Sequence, residues 1–208
     1  MIILQHGVDF AVGDELLDAM FRERRRIFVD LLGWNLPVSP TGCEIDQFDN
    51  ASATYLIAVD DDGDHLGSMR LLPTVGPHIL GSLFSSLAAD GVPCGPSIRE
   101  ITRLCLAQRL AARARLHVRN QLISAMVDHA PMRGIESFTG VVRPSFRASV
   151  LAMGWRAATL GPEQRIDGMA LGAFRIDVDA DTPRLLTATG IYQSTHVIER
   201  AASCTAAA

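Results

Sequence analysis

One arginine limits the folds open to this chain more than any other residue. From Asp14 to Leu32, apolar residues recur at Leu16, Leu17, Met20, Phe21, Ile27, Phe28, Leu31 and Leu32, the spacing of an amphipathic helix that Gly33 is placed to end. Positions 17, 20, 21, 24, 27, 28 and 31 share one face of that helix, so Arg24 stands in the middle of the apolar stripe. Glu23, Arg25, Arg26 and Asp30 fall towards the polar side. A guanidinium in an apolar stripe must be paired or must line a cavity, because a buried charge without a partner is costly. The fold is therefore expected to bring carboxylates to this helix, either as a structural ion pair or as part of a working site.

Carboxylates are at hand. Glu44-Ile45-Asp46-Gln47-Phe48-Asp49 packs three into six residues. A second arginine, Arg70, shares a strand face with Ser68 while Met69 and Leu71 take the other. On the strand expected at 98–106, regular alternation puts Glu100 with Thr102 and Arg103 with Ile101 and Cys105, on opposite faces. If Glu100 and Arg103 serve one site, a bulge must intervene.

Composition removes several chemistries. All 19 basic residues are arginine, so there is no Schiff-base lysine, no phosphate-loop lysine and no Ser-Lys dyad. Cys43, Cys94, Cys105 and Cys204 lie far apart with no C-x-x-C pair, which argues for free thiols and against a zinc knuckle. No metal is expected. The six histidines form no H-E-x-x-H, and no G-x-S-x-G elbow is present. A net charge of -4 argues against general nucleic-acid binding. No apolar run approaches the roughly 18 residues of a membrane span. The N-terminus reads as a first strand, not a secretion signal, and a cytoplasmic location is expected.

The pattern along the chain predicts a hairpin of strands 54–60 and 65–72, a short helix near 80–89, strand 98–106 and a long helix over 115–130 with Leu116, Leu122, Ile123, Met126 and Val127 on its apolar side. Strand 135–142, helix 144–153, strand 155–160 and strand 166–178 follow, and 180–208 is weakly patterned. Residues 1–208 fit one domain of mixed α/β sandwich type, without pure βαβ winding.

Taken together, Arg24-x-x-x-Phe28, Leu32-Gly33-Trp34, Glu44-Ile45-Asp46-Gln47-Phe48-Asp49, Ser68-Met69-Arg70, Phe84 and Glu100-Ile101-Thr102-Arg103 resemble the acyl-homoserine-lactone synthases, which make quorum-sensing signals. The resemblance covers about the first 160 residues. It implies a three-layer α/β sandwich around a mixed, V-splayed sheet related to the N-acetyltransferase fold. It also implies S-adenosylmethionine as a substrate and an acyl thioester as the donor. The amine of S-adenosylmethionine attacks the thioester carbonyl; its carboxylate then attacks its own γ-carbon and expels methylthioadenosine.

On that resemblance Glu100 is the candidate general base, with pairing to an arginine as its alternative role. A base suits the chemistry, since an α-amino group of pKa about 8 is largely protonated at neutral pH. Arg24, Phe28, Trp34, Asp46, Asp49, Arg70, Phe84 and Arg103 are the expected cofactor-binding set. Arg24 or Arg103 would meet the carboxylate, and Trp34 with Phe28 the sulfonium. Asp46 and Asp49 are expected to pair with Arg103 and Arg70, and Phe84 to serve packing more than chemistry. Met126, Thr139, Val141, Phe146, Met153 and Trp155 are expected to line the acyl pocket, with Thr139 matching a position linked to 3-oxoacyl chains.

The basic run Arg99, Arg103, Arg109, Arg113, Arg115 and Arg119 contains Glu100 as its only acid. It is either a solvated face or a dock for the donor, an acidic acyl carrier protein or the phosphates of acyl-CoA, through Arg109, Arg113, Arg115 and Arg119. Two rivals stand beside this reading. One is an acetyl-CoA-dependent N-acetyltransferase of the same fold, disfavoured because Arg109-Leu-Ala-Ala-Arg-Ala114 lacks the glycines of a pyrophosphate loop. The other is a non-catalytic signal-binding relative.

Overall fold

The structure, a computed structural model, describes residues 1–10 and 13–200, so Cys204 and the end of the tail lie outside the described residues. They fall into two compact units. The first holds Met1–Arg70, Arg103–Ala125 and the described residues from Thr195; the second holds Leu71–Thr102 and Met126–Ser194. Strands β3 (His65–Pro73) and β4 (Ile98–Leu106) and helix α3 (Ala112–Met132) each run from one unit into the other.

In the first unit, β1 (Ile2–His6) pairs antiparallel with β2 (Thr54–Val59) and parallel with β9 (Val197–Arg200). Helix α1 (Glu15–Arg24) starts where the Asp14 carboxylate accepts the N–H groups of Leu16 and Leu17 at 3.0 and 3.2 Å. Its continuation, Arg25–Leu31, is wound as a π-helix. That wider turn shifts the stripe: Leu17, Met20, Phe21, Arg24 and Phe28 are buried as expected, while Leu31 is turned out and exposed. Glu23, expected on the polar side, is buried. Val118 of α3 lies against Gly67 of β3, where an added Cβ would come within 2.9 Å of its methyl carbon. Leu116 falls off the buried face of α3 and is exposed.

In the second unit, β5 (Ser137–Val142) and β8 (Met169–Asp177) are antiparallel. Strands β6 (Arg156–Thr159) and β7 (Gln164–Ile166) also pair with β8. Strand β4 runs parallel to β5, but only Ile98, Arg99 and Glu100 are in register with Ser137, Phe138 and Thr139, so the pairing stops at Glu100 and Thr139 while both strands continue. Here is the splay expected of the sheet, which is mixed and open. Helix α2 (Ile79–Leu83) is shorter than expected; the chain breaks at Phe84 into a 3-10 turn, Ser85–Leu87. Leu80 and Leu87 pack on Leu171 and Ala173 on one face of β8. Helix α4 (Pro144–Leu151) takes the other face, where the Arg147 guanidinium fills the space that a Cβ on Gly172 would need. The weakly patterned end contains α5 (Thr182–Ala188) and β9. No helix among the described residues is long and apolar enough to cross a membrane.

Candidate active site

The partners that Arg24 requires arrive from the loop before β2. Arg24 donates through Nε to Glu44 at 2.6 Å and through Nη1 and Nη2 to the two oxygens of Asp49 at 2.8 and 2.9 Å. Arg70 grips both oxygens of Asp46 at 2.7 and 3.0 Å and reaches Asp49 at 2.7 Å. Arg103 joins Glu44 and Asp46 at 2.9 and 2.8 Å through Nη2. Three guanidiniums and three carboxylates thus cancel in a buried space. Such groups are tolerable there only when matched in charge and hydrogen bonding.

Local backbone order holds the acids in place. The Asp46 carboxylate accepts the Phe48 N–H at 2.9 Å, and the Asp49 carboxylate accepts the Asp46 N–H at 2.9 Å. The Tyr55 hydroxyl donates to Asp49 at 2.8 Å. Each arginine also faces a phenylalanine ring: Arg24 over Phe21 at 5.0 Å, Arg70 over Phe48 at 5.9 Å, and Arg103 over Phe28 at 5.6 Å. Burial alone would lower the pKa of Arg24, but Asp49 and Glu44 outweigh it and raise it. Burial alone would raise Asp49, yet Arg24 and Arg70 hold it well below the usual carboxylate range. Burial and the Asp49 charge push the Tyr55 phenol up. Arg24 and Asp49 are therefore held in their charged forms at neutral pH.

Asp46 pairs with Arg103 and Arg70 as expected, while Asp49 turns to Arg24 as well as Arg70. Glu44, Tyr55, Phe21 and Phe48 belong to the cluster and were not singled out as site residues. Arg24 is sealed in, its three guanidinium nitrogens all given to Glu44 and Asp49. Arg103 keeps Nη1 without a partner among the described residues.

Two backbone features set the neighbouring groups. Arg103 has φ +53°, the left-handed region that non-glycine residues rarely occupy, and the burial rhythm of β4 slips there: Glu100 and Thr102 are buried, then Cys105. Alternation thus breaks at Arg103, the kind of departure that a site shared by Glu100 and Arg103 would need. At the end of the π-helix, Gly33 takes φ +67° and the Trp34 N–H reaches back to the Phe28 carbonyl at 2.8 Å. That turn stacks the Trp34 indole on the Phe28 ring, with centroids 5.1 Å apart. The Trp34 indole N–H has no partner among the described residues.

In the second unit, Glu100 is fully buried and its two oxygens accept the Ile79 and Leu80 N–H groups, at 2.6 and 2.7 Å, at the start of α2. Thr139 lies beside it in register on the parallel strand, hence on the same face. Its buried hydroxyl has no partner among the described residues. Phe84 and Val141, the latter expected at the acyl pocket, both pack against Leu80, Leu87, Leu171 and Ala173. Trp155 spends its indole N–H on the Val150 carbonyl at 2.8 Å and belongs, with buried Met153, to the α4 side; Phe146 on α4 is partly exposed, and Met126 is buried in α3.

The basic run divides. Arg103 belongs to the buried cluster. Arg109 donates to the His65 carbonyl at 2.8 Å, Arg115 to the Gln108 carbonyl at 3.2 Å, and Arg119 to Asn120 at 2.8 Å. Exposed Arg113 has no partner among the described residues.

Residues 11–185 match the family model of the autoinducer synthases. An acyl-homoserine-lactone synthase of Ralstonia nicotianae is 37% identical over 171 residues, covering 79% of this chain and 83% of the relative. One of Pseudomonas chlororaphis is 28% identical over 193 residues, covering 92% and 95%. Among solved structures, the CoA-dependent acyl-homoserine lactone synthase BjaI, with SAM and isopentyl-CoA, is similar with a TM-score of 0.82 and 25% identity, covering 96% of this chain and 93% of that one. TofI, in a ternary complex with an inhibitor and MTA, has a TM-score of 0.73 and 29% identity over 90% and 96%. A putative N-acetyltransferase from Lactobacillus plantarum shares the fold alone, with a TM-score of 0.55 and 16% identity, covering 86% of this chain and 98% of that one.

Proposed function

The chain belongs to the autoinducer synthase family, and from that premise we propose how its residues divide the work of acyl-homoserine-lactone synthesis. The enzyme transfers an acyl group from an acyl thioester to the amine of S-adenosylmethionine, and the acylated product closes to a lactone. In the first step a C–N bond forms at the thioester carbonyl, the amine loses a proton and the thiol departs. In the second, the carboxylate oxygen bonds to the γ-carbon, and the C–S electrons return to sulfur as methylthioadenosine leaves.

The observation that carries the site assignment is the neutral cluster of three arginines and three acids beside the Phe28–Trp34 stack. Arg103, through its remaining Nη1, is the residue to clamp the carboxylate of S-adenosylmethionine, and Arg24 holds the acids that orient Arg103. The Trp34 ring face suits the sulfonium. Glu100 is the base, acting directly or through water, and its two backbone N–H bonds fix its direction. The same two bonds favour a second reading, in which Glu100 only anchors the first turn of α2. Thr139 and Val141, with Phe84, make the start of the apolar slot for the acyl chain.

A synthase bound to isopentyl-CoA among the similar structures supports acyl-CoA as donor. An acidic carrier protein would meet the same arginines at the start of α3. Free Cys43, Cys94 and Cys105 suit a reducing, cytoplasmic setting.

Incubation with S-adenosylmethionine and a panel of acyl-CoA and acyl-carrier thioesters should release methylthioadenosine and an acyl-homoserine lactone, read by mass spectrometry. Acetyl transfer to another amine without that release would favour the N-acetyltransferase reading. In the same assay Glu100→Gln should lower kcat about 100-fold or more while S-adenosylmethionine affinity is preserved. Wild-type turnover with lowered thermal stability would leave Glu100 as the anchor of α2.

A further inference from the structure

One buried acid takes no part in the cluster, although it precedes Arg24 in the chain. Glu23 is 7% exposed, and both its oxygens are matched: Oε1 accepts the backbone N–H of Gln108 at 2.9 Å, and Oε2 accepts Arg26 Nη1 at 2.9 Å. Gln108 lies between the end of β4 at Leu106 and the start of α3 at Ala112. The carbonyl of the same residue accepts Arg115 Nη2 at 3.2 Å, so its peptide groups are held from both sides. Next to it, Ala107 donates its N–H to the Leu66 carbonyl at 2.9 Å and Arg109 donates to the His65 carbonyl at 2.8 Å. Three successive residues are thus pinned, and Glu23 is the pin that comes from α1.

Packing does not explain the placement, since a cavity of about 540 Å³ lies beside it, lined in part by Arg22, Glu23, Arg26, His65, Gln108 and Arg109. A carboxylate beside open space has water available, and its residence on a peptide N–H answers a need of the loop.

The geometry points to Glu23 as a positioning residue for the acyl donor: by holding Gln108 it fixes the β4–α3 connection, and with it the directions of Arg109 and Arg115. Adjacent residues of one helical turn then serve the two substrates, Arg24 the S-adenosylmethionine cluster and Glu23 the donor loop. This rests on the synthase reading and on the donor meeting the start of α3.

Steady-state kinetics with the acyl-CoA that the wild type turns over fastest, together with amide hydrogen exchange, test it. Glu23→Ala should raise the donor KM on the order of tenfold, the effect of losing one charge-assisted hydrogen bond, leave the S-adenosylmethionine KM unchanged, and speed exchange at Gln108 and Arg109. Glu23→Gln keeps an oxygen acceptor for the Gln108 N–H and should restore the donor KM. Arg26→Ala, which removes only the ion pair to a 64% exposed side chain, should behave as wild type. A donor KM unmoved by Glu23→Ala, equal damage from Glu23→Gln, or an equal rise in both KM values would overturn the assignment. If the wild type releases no methylthioadenosine with any thioester, the synthase reading fails; exchange rates at Gln108 in the Glu23→Ala protein still decide the contact.

Discussion

Asp49 accepts from Arg24 at 2.8 and 2.9 Å, from Arg70 at 2.7 Å and from the Tyr55 hydroxyl at 2.8 Å, all in a buried space. Its folded-state pKa lies below the value of about 3.9 that it has in an unfolded chain. Above that value both states are ionised and the full stabilisation is present. As pH falls through it, the unfolded chain takes up a proton that the folded protein resists, so stability is lost progressively into acid. Asp49→Asn should cost about 3–5 kcal/mol at pH 7, because two buried arginines lose their partner, and should flatten the acid-side decline. Urea midpoints at neutral and acid pH read both effects; parallel declines for the two proteins would contradict the linkage. Much of this cluster was legible beforehand. An arginine inside an apolar stripe announces a need for acids, and the segment 44–49 supplies them. Which acid meets which arginine was not legible, because three acids within six residues are interchangeable in sequence and separated only by the turn at Asp46–Asp49. Tyr55 was hidden for another reason: in a buried strand a tyrosine looks like core until its hydroxyl is seen to have a partner.

Among the elements, β4 shows where period-two reading succeeds. Alternation set Glu100 and Arg103 on opposite faces, with a bulge needed only if they share a site, and the structure breaks the alternation at Arg103, where φ is +53°. The π-helical continuation of α1 was not legible, since a 3.6-residue period is the default and nothing in Arg25–Leu31 forbids it; Leu31 went to the wrong side as a result. Helix α2 was overextended because Phe84 fits an apolar period, whereas the chain breaks there. A crossing of sheet elements makes a sharper test. On β5, Gly140 lets the Phe174 ring of β8 lie where a Cβ would stand 2.6 Å from the ring, with the Ile101 carbonyl at 3.2 Å. Phe174 is buried and has little room to yield. Gly140→Ala should therefore destabilise by about 1–3 kcal/mol, the usual cost of overpacking. It should also impair turnover through the neighbouring Thr139. Gly95→Ala, whose Cβ would meet only Ile98 at 3.9 Å, is the control. Equal melting temperatures for the two variants would show that β8 gives way.

For the molecule as a whole, a net charge of -4 coexists with a basic start to α3, and the structure reduces that run to its accessible members. Arg103 is spent internally and Arg109, Arg115 and Arg119 are tied to nearby oxygens, which leaves Arg113 as the exposed guanidinium without a partner among the described residues. Steering by such a charge acts over distances set by salt, about 10 Å at 0.1 M and about 3 Å at 1 M. Arg113→Glu should thus raise the donor KM several-fold at low salt and lose the effect near 1 M, with the S-adenosylmethionine KM unmoved at either. The Glu23 contact predicts the opposite salt behaviour, because a direct 2.9 Å hydrogen bond accepted by a buried carboxylate is screened little. Measuring both variants against acyl-CoA and against an acyl-loaded carrier protein also separates the donors. A carrier approaches through many charges at once and should show a steeper salt slope in the Arg113→Glu enzyme than CoA does. Identical slopes for the two donors, or a salt-independent Arg113→Glu, would return this face to ordinary solvation and leave the donor loop to be governed by Glu23 alone.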